Sequence, residues 1–290
     1  MDMPPLHSLP DALRRRIVGE VRGLFNDRGA GERPVERSAH AIFPAGSVIW
    51  RVHGDVATMT IGGIAALMMQ MLHPRALAGV WDHSRFREDM IGRLRRTARF
   101  IAITTYGAAS DAEAAIAKVR QVHGYIEGTM ADGTPYAASD PALLAWVHVC
   151  EATAFLDAWI AFAEPGMSRA DQDRYFAEAA AVARGLGADP VPESRAQAQA
   201  LLRDFQPQLA VTPRTREVAR LILRPPATTL ALLPAQRLIS RAAVDILPSW
   251  AREMHGLGAS PLGGAVVKAG AFTLAQTVRW AFGQKLRAPV

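Results

Sequence analysis

SDPALLAWVHVCEATAFLDAWIAFA, residues 139–163, opens with Ser139-Asp140-Pro141, which puts proline at a first helical position. Leu144, His148, Ala152 and Phe155 then recur at helical spacing, so the stretch predicts one long apolar helix over 140–163. Similar periodic segments flank it on both sides: 60–82 interrupted at Pro74, 88–106, 110–130, 168–186, 193–205 and 213–223. Ser110-Asp-Ala-Glu113 has the form of a capping box, Ser168 opens the following segment, and Gly185 and Gly187 close it. Ser47 to Val52 is the one run that reads as a strand, or as the extended entry to a helix. The expected fold class is therefore all-α.

Further out, residues 8–26 predict an outer helix followed by a Gly/Pro/Arg-rich connector from Arg28 to Arg37. Pro226 to Phe282 is helix-rich but divided by Pro234, Pro248 and the Gly256 to Gly264 loop. Three regions result: an N-terminal helix and connector over 1–45, a main helical domain over 46–250, and a C-terminal helical extension over 251–290. No repeat period or low-complexity tract is present.

With 290 residues, half of them hydrophobic, the chain can build a full core. A net charge of +6 raises the question of nucleic acid, but lysine occurs only at 118, 268 and 285 and the arginines are scattered. No nucleic-acid partner is expected. The single cysteine, Cys150, allows no intramolecular disulfide, and the first residues lack the basic and apolar regions of a secretory signal. Neither Ile61 to Leu72 nor Gly263 to Phe282, the latter broken by Lys268 and Arg279, suits a membrane span. A cytoplasmic protein is expected, with peripheral membrane contact left open and its oligomeric state unspecified.

Phosphate-loop, dinucleotide, zinc-protease and nucleophile-elbow motifs are absent, and no glutamate is followed three residues later by histidine. Nucleotide enzymes and carboxylate-bridged di-iron bundles lose their support. What remains is a set of histidines, His53, His73, His83, His123 and His148, inside apolar helices or at their ends, an arrangement that suits a haem pocket. The face Ile116, Val119, His123, Ile126, Met130 is apolar except for its imidazole, and His148 lies on a comparable stripe. Each is either a buried histidine satisfied by a neighbouring acceptor or an axial haem ligand, and spacing does not choose between them. On the preceding helix, Arg93 and Thr97 share a face with Phe100 and Thr104, with Arg96 alongside. These are either a solvated arginine run or cations that pair with propionates or stabilise charge on oxygen. Gln70 and His73 share a side just before Pro74, where a helix must kink or end.

These blocks, in order, carry a resemblance. Gly62-Gly63 through Gln70-Met-Leu-His73-Pro74, Gly79-Val80-Trp-Asp-His83-Ser84-Arg-Phe86, Arg93-Leu-Arg-Arg96-Thr97, Val122-His123-Gly124, Tyr136 to Pro141 and Leu144-Ala-Trp146-Val147-His148 resemble the MpaB and latex-clearing-protein (rubber oxygenase) catalytic-domain family, from about Trp50 to Pro192 and on towards Trp250. The resemblance implies a haem b protein with a globin-like helical core. His123 would be the proximal iron ligand, with His148 its rival, and O2 would be activated against a small hydrophobic, isoprenoid-like alkene. Arg93, Arg96 and Thr97 match the family's Arg-x-x-Lys-Thr element and would be catalytic, Arg93 also reaching the cofactor, while Gln70, His73, Trp146 and His148 would shape the cofactor pocket. Arg96 stands where the family carries a lysine; a guanidinium has no lone pair to offer iron, so a lysine-capped closed state is not expected. The only glutamate between Gly62 and Arg93 is Glu88, beside the arginines, which sets this chain apart from polymer-cleaving relatives. A haem sensor or carrier without turnover, or a non-haem helical interaction protein, are the other readings.

Overall fold

The computed structural model describes residues 11, 14, 15, 17–19, 23, 32–224, 233–258 and 264–283. The helix expected over 8–26 and the first residues of its connector fall mostly outside these.

Among the described residues the chain is helical, with one two-stranded sheet. In order the helices are α1 (Val48–His53), α2 (Val56–Gln70), α3 (Pro74–His83), α4 (Met90–Tyr106) and α5 (Ala109–His123). The strands β1 (Glu127–Thr129) and β2 (Pro135–Ala137) follow, then α6 (Pro141–Phe162), α7 (Arg169–Leu186), α8 (Arg195–Phe205), α9 (Pro213–Leu223), α10 (Leu233–Asp245), α11 (Ser249–Met254) and α12 (Gly264–Ala281). Local chemistry sets many of these boundaries. Asp140 caps α6 by accepting from the Ala142 N–H, with Pro141 at the first position, and Ser168 caps α7 by accepting from Asp171. Gly187, in the left-handed region at φ 95°, ends α7. Pro74 ends one axis and starts another, so α2 and α3 meet at 107°.

Three local expectations are corrected. Ser47 to Val52 is neither strand nor extended entry but most of α1, because the Glu178 carboxylate on α7 accepts from the Ile49 N–H at 2.7 Å and caps the helix from another element. The capping box at Ser110 does not form; the N-cap of α5 lies two residues earlier, at Ala108, whose carbonyl accepts from the Ala112 N–H. The helix expected to run to 130 stops at His123. There the chain turns into an antiparallel hairpin, with Glu127 opposite Ala137 and Thr129 opposite Pro135.

α6 is the axis of the fold. By length and composition it could cross a membrane, and the bent pair α2 and α3 passes the same test, but most of α6 is buried inside the protein, as a core helix is. Gly62 of α2 lets the two backbones meet: a Cβ there would sit 2.9 Å from the Ala154 carbonyl oxygen and the Phe155 Cα. Trp146, Trp159, Leu156 and Cys150 on α6 and Ile61, Ala65, Met68 and Met69 on α2 are all buried in one core. The C-terminal segment adds Val267 and Ala271 of α12 to that same core. It is anchored by Arg279, fully buried, whose Nε donates to Asp55 Oδ2 at 2.5 Å and whose guanidinium also reaches the Phe162 carbonyl. Asp55 in turn caps α2 through the Thr58 N–H.

Candidate active site

The face of α6 turned away from Trp146 and Cys150 carries Leu144, Val147, His148, Glu151, Ala152 and Phe155, positions three and four apart. These line a cavity of about 110 Å³. The other walls are Ile49 and His53 of α1, Phe100, Ile101, Thr104 and Thr105 of α4, and His123 at the end of α5. Tyr175, Ala179, Val182, Ala183 and Leu186 of α7 close the far side. α4 is the least sealed wall, since none of its described apolar side chains is fully buried and Leu94 is 39% exposed.

Seven polar or titratable side chains enter this otherwise apolar space, and the structure treats them in different ways. His53 is fully satisfied, with Nδ1 2.9 Å from Thr105 Oγ1 and Nε2 3.0 Å from the Tyr175 hydroxyl, and burial lowers its pKa to about 3. His148 is as enclosed but its Nε2 is buried without a partner, and burial lowers its pKa to about 4. His123 has Nδ1 buried without a partner; burial and then the charge of Arg93 lower its pKa. All three imidazoles are therefore pushed towards the neutral, lone-pair-bearing form. Glu151, one turn beyond His148, is driven the other way: burial raises its pKa to about 6, while a hydrogen bond from Gln70 and the charge of Arg93 hold it down. Tyr175 is pushed well above 10, first by burial and then by the charges of Glu151 and Glu178.

Buried polar atoms nearly always find a bond. Three imidazole nitrogens here lack one, and two of them, His123 Nδ1 and His148 Nε2, belong to residues lining the same cavity, while the third, His73 Nδ1, does not. Among the described residues no group of three or more His, Cys, Asp or Glu is placed to hold a metal ion. A bare ion held only by side chains has no such cage here. Haem iron needs only one or two side chains, because the porphyrin supplies its other four ligands.

The family model for the ER-bound oxygenase mpaB/B'/rubber oxygenase catalytic domain matches residues 50–280, most of the chain and all of the cavity walls except Ile49. The chain belongs to this family. It is thus an oxygenase, acting on a substrate together with O2. No curated protein and no solved structure gave a significant match.

Within this oxygenase the residues singled out from sequence separate into three groups. His123 and His148 line the cavity. Arg93 is not on the wall; its Nη1 donates to Ser84 Oγ at 2.9 Å, and its charge is felt by both His123 and Glu151, which are. Gln70 is not on the cavity wall either, but it donates to the Val147 carbonyl at 3.2 Å and hydrogen-bonds Glu151, two residues that are. Arg96 and Thr97 do not line the cavity: both are exposed, and Arg96 faces Asp89 across 3.5 Å. His73 and Trp146 do not line it either. They pack with Phe205 on the other side of α6, where Trp146 Nε1 donates to the Gln70 carbonyl and His73 Nε2 lies 3.4 Å from Gln208 Oε1.

Sequence reasoning missed Glu151, Thr105 and Tyr175, and named His53 only as one of the five histidines that suit a haem pocket. Glu151 was within reach, since the stripe through Leu144, His148 and Phe155 passes over it. His53 and Tyr175 are 122 residues apart, and no local pattern joins them.

Proposed function

We propose that this oxygenase is haem-dependent and acts on a small apolar alkene of the isoprenoid kind, with His123 as the iron ligand. The observation that carries the proposal is the pair of neutral imidazoles, each with a buried nitrogen lacking a hydrogen-bond partner, on the wall of one apolar cavity. Their donor chemistry suits haem, and so does the lining of Phe100, Ile101, Val147 and Phe155. The volume is below the roughly 300–1,000 Å³ of a usual small-molecule cleft, so a porphyrin requires a wall to yield. α4 is the wall with no fully buried apolar side chain to hold it. The globin-like arrangement implied by the resemblance belongs to this proposal too.

When bound, haem would supply the activation of dioxygen that the side chains of this chain cannot perform. The chain's own residues do the rest. Arg93 places a cation within electrostatic reach of His123 and Glu151, where it pairs with a carboxylate or steadies negative charge. Gln70 orients the Glu151 carboxyl through its amide. The apolar walls select a hydrocarbon and exclude water. A reducing compartment such as the cytoplasm suits the single buried thiol, Cys150.

Absorption spectra of the purified protein, oxidised, reduced and reduced with carbon monoxide, test the cofactor directly. His123→Ala is expected to abolish stoichiometric haem retention and His148→Ala to leave it. The reverse outcome exchanges the two roles, and a colourless protein that stays colourless with added hemin ends the proposal.

A further inference from the structure

Tyr175 is the one tyrosine on the cavity wall, 1% exposed, with its hydroxyl 3.0 Å from His53 Nε2. His53 is held from its other side by Thr105 Oγ1 at 2.9 Å, and its ring packs edge-on against Phe155 and Tyr175. In the tautomer whose Nδ1–H donates to Thr105, Nε2 carries the lone pair and accepts the phenol O–H. We propose that Tyr175 is a redox-active tyrosine, giving one electron to an oxidant formed in the cavity while its phenolic proton passes to Nε2 of His53.

The step balances. The O–H bond of Tyr175 breaks, the electron reduces the oxidant by one equivalent, and a new N–H bond forms on His53, leaving a neutral phenoxyl radical beside an imidazolium. Re-reduction reverses both transfers. At rest the proton stays on the phenol, because burial raises the phenol pKa and lowers that of the imidazole. Loss of an electron turns the phenol into a strong acid and moves the proton with it. Apolar walls keep water from competing as the acceptor.

The other tyrosines lack this combination. Tyr106 donates to the Trp50 carbonyl, which is not a base, Tyr136 bonds Asp82 and His83 away from the cavity wall, and Tyr125 is 75% exposed. Such a donor gives oxidising equivalents a place to go when no alkene is present. The inference takes its oxidant, a peroxide-oxidised haem, from the proposed function.

Two experiments separate the fates of the two ideas. In the first, the full chain reconstituted with haem is mixed with hydrogen peroxide, frozen, and examined by electron paramagnetic resonance. A phenoxyl signal is expected that falls at least tenfold in Tyr175→Phe and persists in Tyr136→Phe; an undiminished signal in Tyr175→Phe overturns the proposal. The second needs no haem. Photogenerated ruthenium(III) polypyridyl oxidises the full chain carrying Tyr125→Phe and Tyr136→Phe, and the phenoxyl transient is followed by absorption. Its formation is expected to vanish with Tyr175→Phe and to slow at least tenfold with His53→Gln, whose amide cannot take the proton. Unchanged kinetics in both variants, or no phenoxyl in the parent, overturns the proposal whether or not haem binds.

Discussion

Glu151 shows what the cavity does to a single group. Its ordinary pKa of 4.5 becomes about 6 because burial outweighs the Gln70 amide and the Arg93 charge. The protonated form is thus favoured in the folded chain, and the associated stability is present below pH 4.5 and lost as the pH rises through 6. Glu151→Gln keeps the shape and the bond with Gln70 without the charge, so it is expected to stabilise the protein by about 1–2 kcal/mol at pH 8 and by little at pH 4.5. Urea unfolding at the two pH values checks this. A loss of stability at pH 8 would mean that Arg93 repays the burial of the carboxylate in full.

At the scale of elements, the contact between α2 and α6 is set by one glycine of an adjacent pair. A methyl on Gly62 would meet backbone atoms of α6 at 2.9 Å, whereas one on Gly63 would meet only the Phe155 ring edge at 3.8 Å, an ordinary contact. Gly62→Ala is therefore expected to cost about 1–3 kcal/mol through overpacking. Gly63→Ala is expected to be neutral or to stabilise by up to about 1 kcal/mol from helix propensity. Thermal unfolding of both variants tests the distinction, and equal effects would contradict the close approach. The same scale shows which boundaries were legible. Asp140-Pro141, Ser168 and Gly187 act through their own backbone neighbours, so α6 and α7 begin and end where the sequence predicts. α1 takes its cap from Glu178, 129 residues from Ile49, and was misread for that reason. α5 was extended past His123 because Ile126 and Met130 keep the helical spacing; in the structure the peptide groups after it pair across the hairpin instead.

For the whole molecule, the buried histidines couple stability to acidity. His53 falls to about 3 and His148 to about 4, both from 6.5 and both by burial. Their folded pKa values are depressed, so the unfolded chain binds more protons in this window. The stability they contribute is complete above pH 6.5 and is lost as the pH falls, through about 4 for His148 and about 3 for His53. After the opposing gain from Glu151, a net loss on the order of 3 kcal/mol is expected between pH 7 and pH 5. Denaturant unfolding at those pH values measures it, and a flat profile would show that the imidazoles are not sequestered.

Alone, the sequence determined the all-α class, the long apolar α6, the bend at Pro74, and the apolar stripes that carry His123 and His148. These depend on periodicity, on caps and on prolines, whose effects reach only a turn or so along the chain. Only the tertiary structure decided which polar groups share a space. Periodicity fixes the angle of a side chain about its own helix but not what lies opposite. Arg96 and Thr97 thus face solvent although they sit beside Arg93, Trp146 and His73 turn to the far side of α6, and Glu151, His53 and Tyr175 meet His123 and His148 because the packing of α1, α5, α6 and α7 leaves a cavity between them.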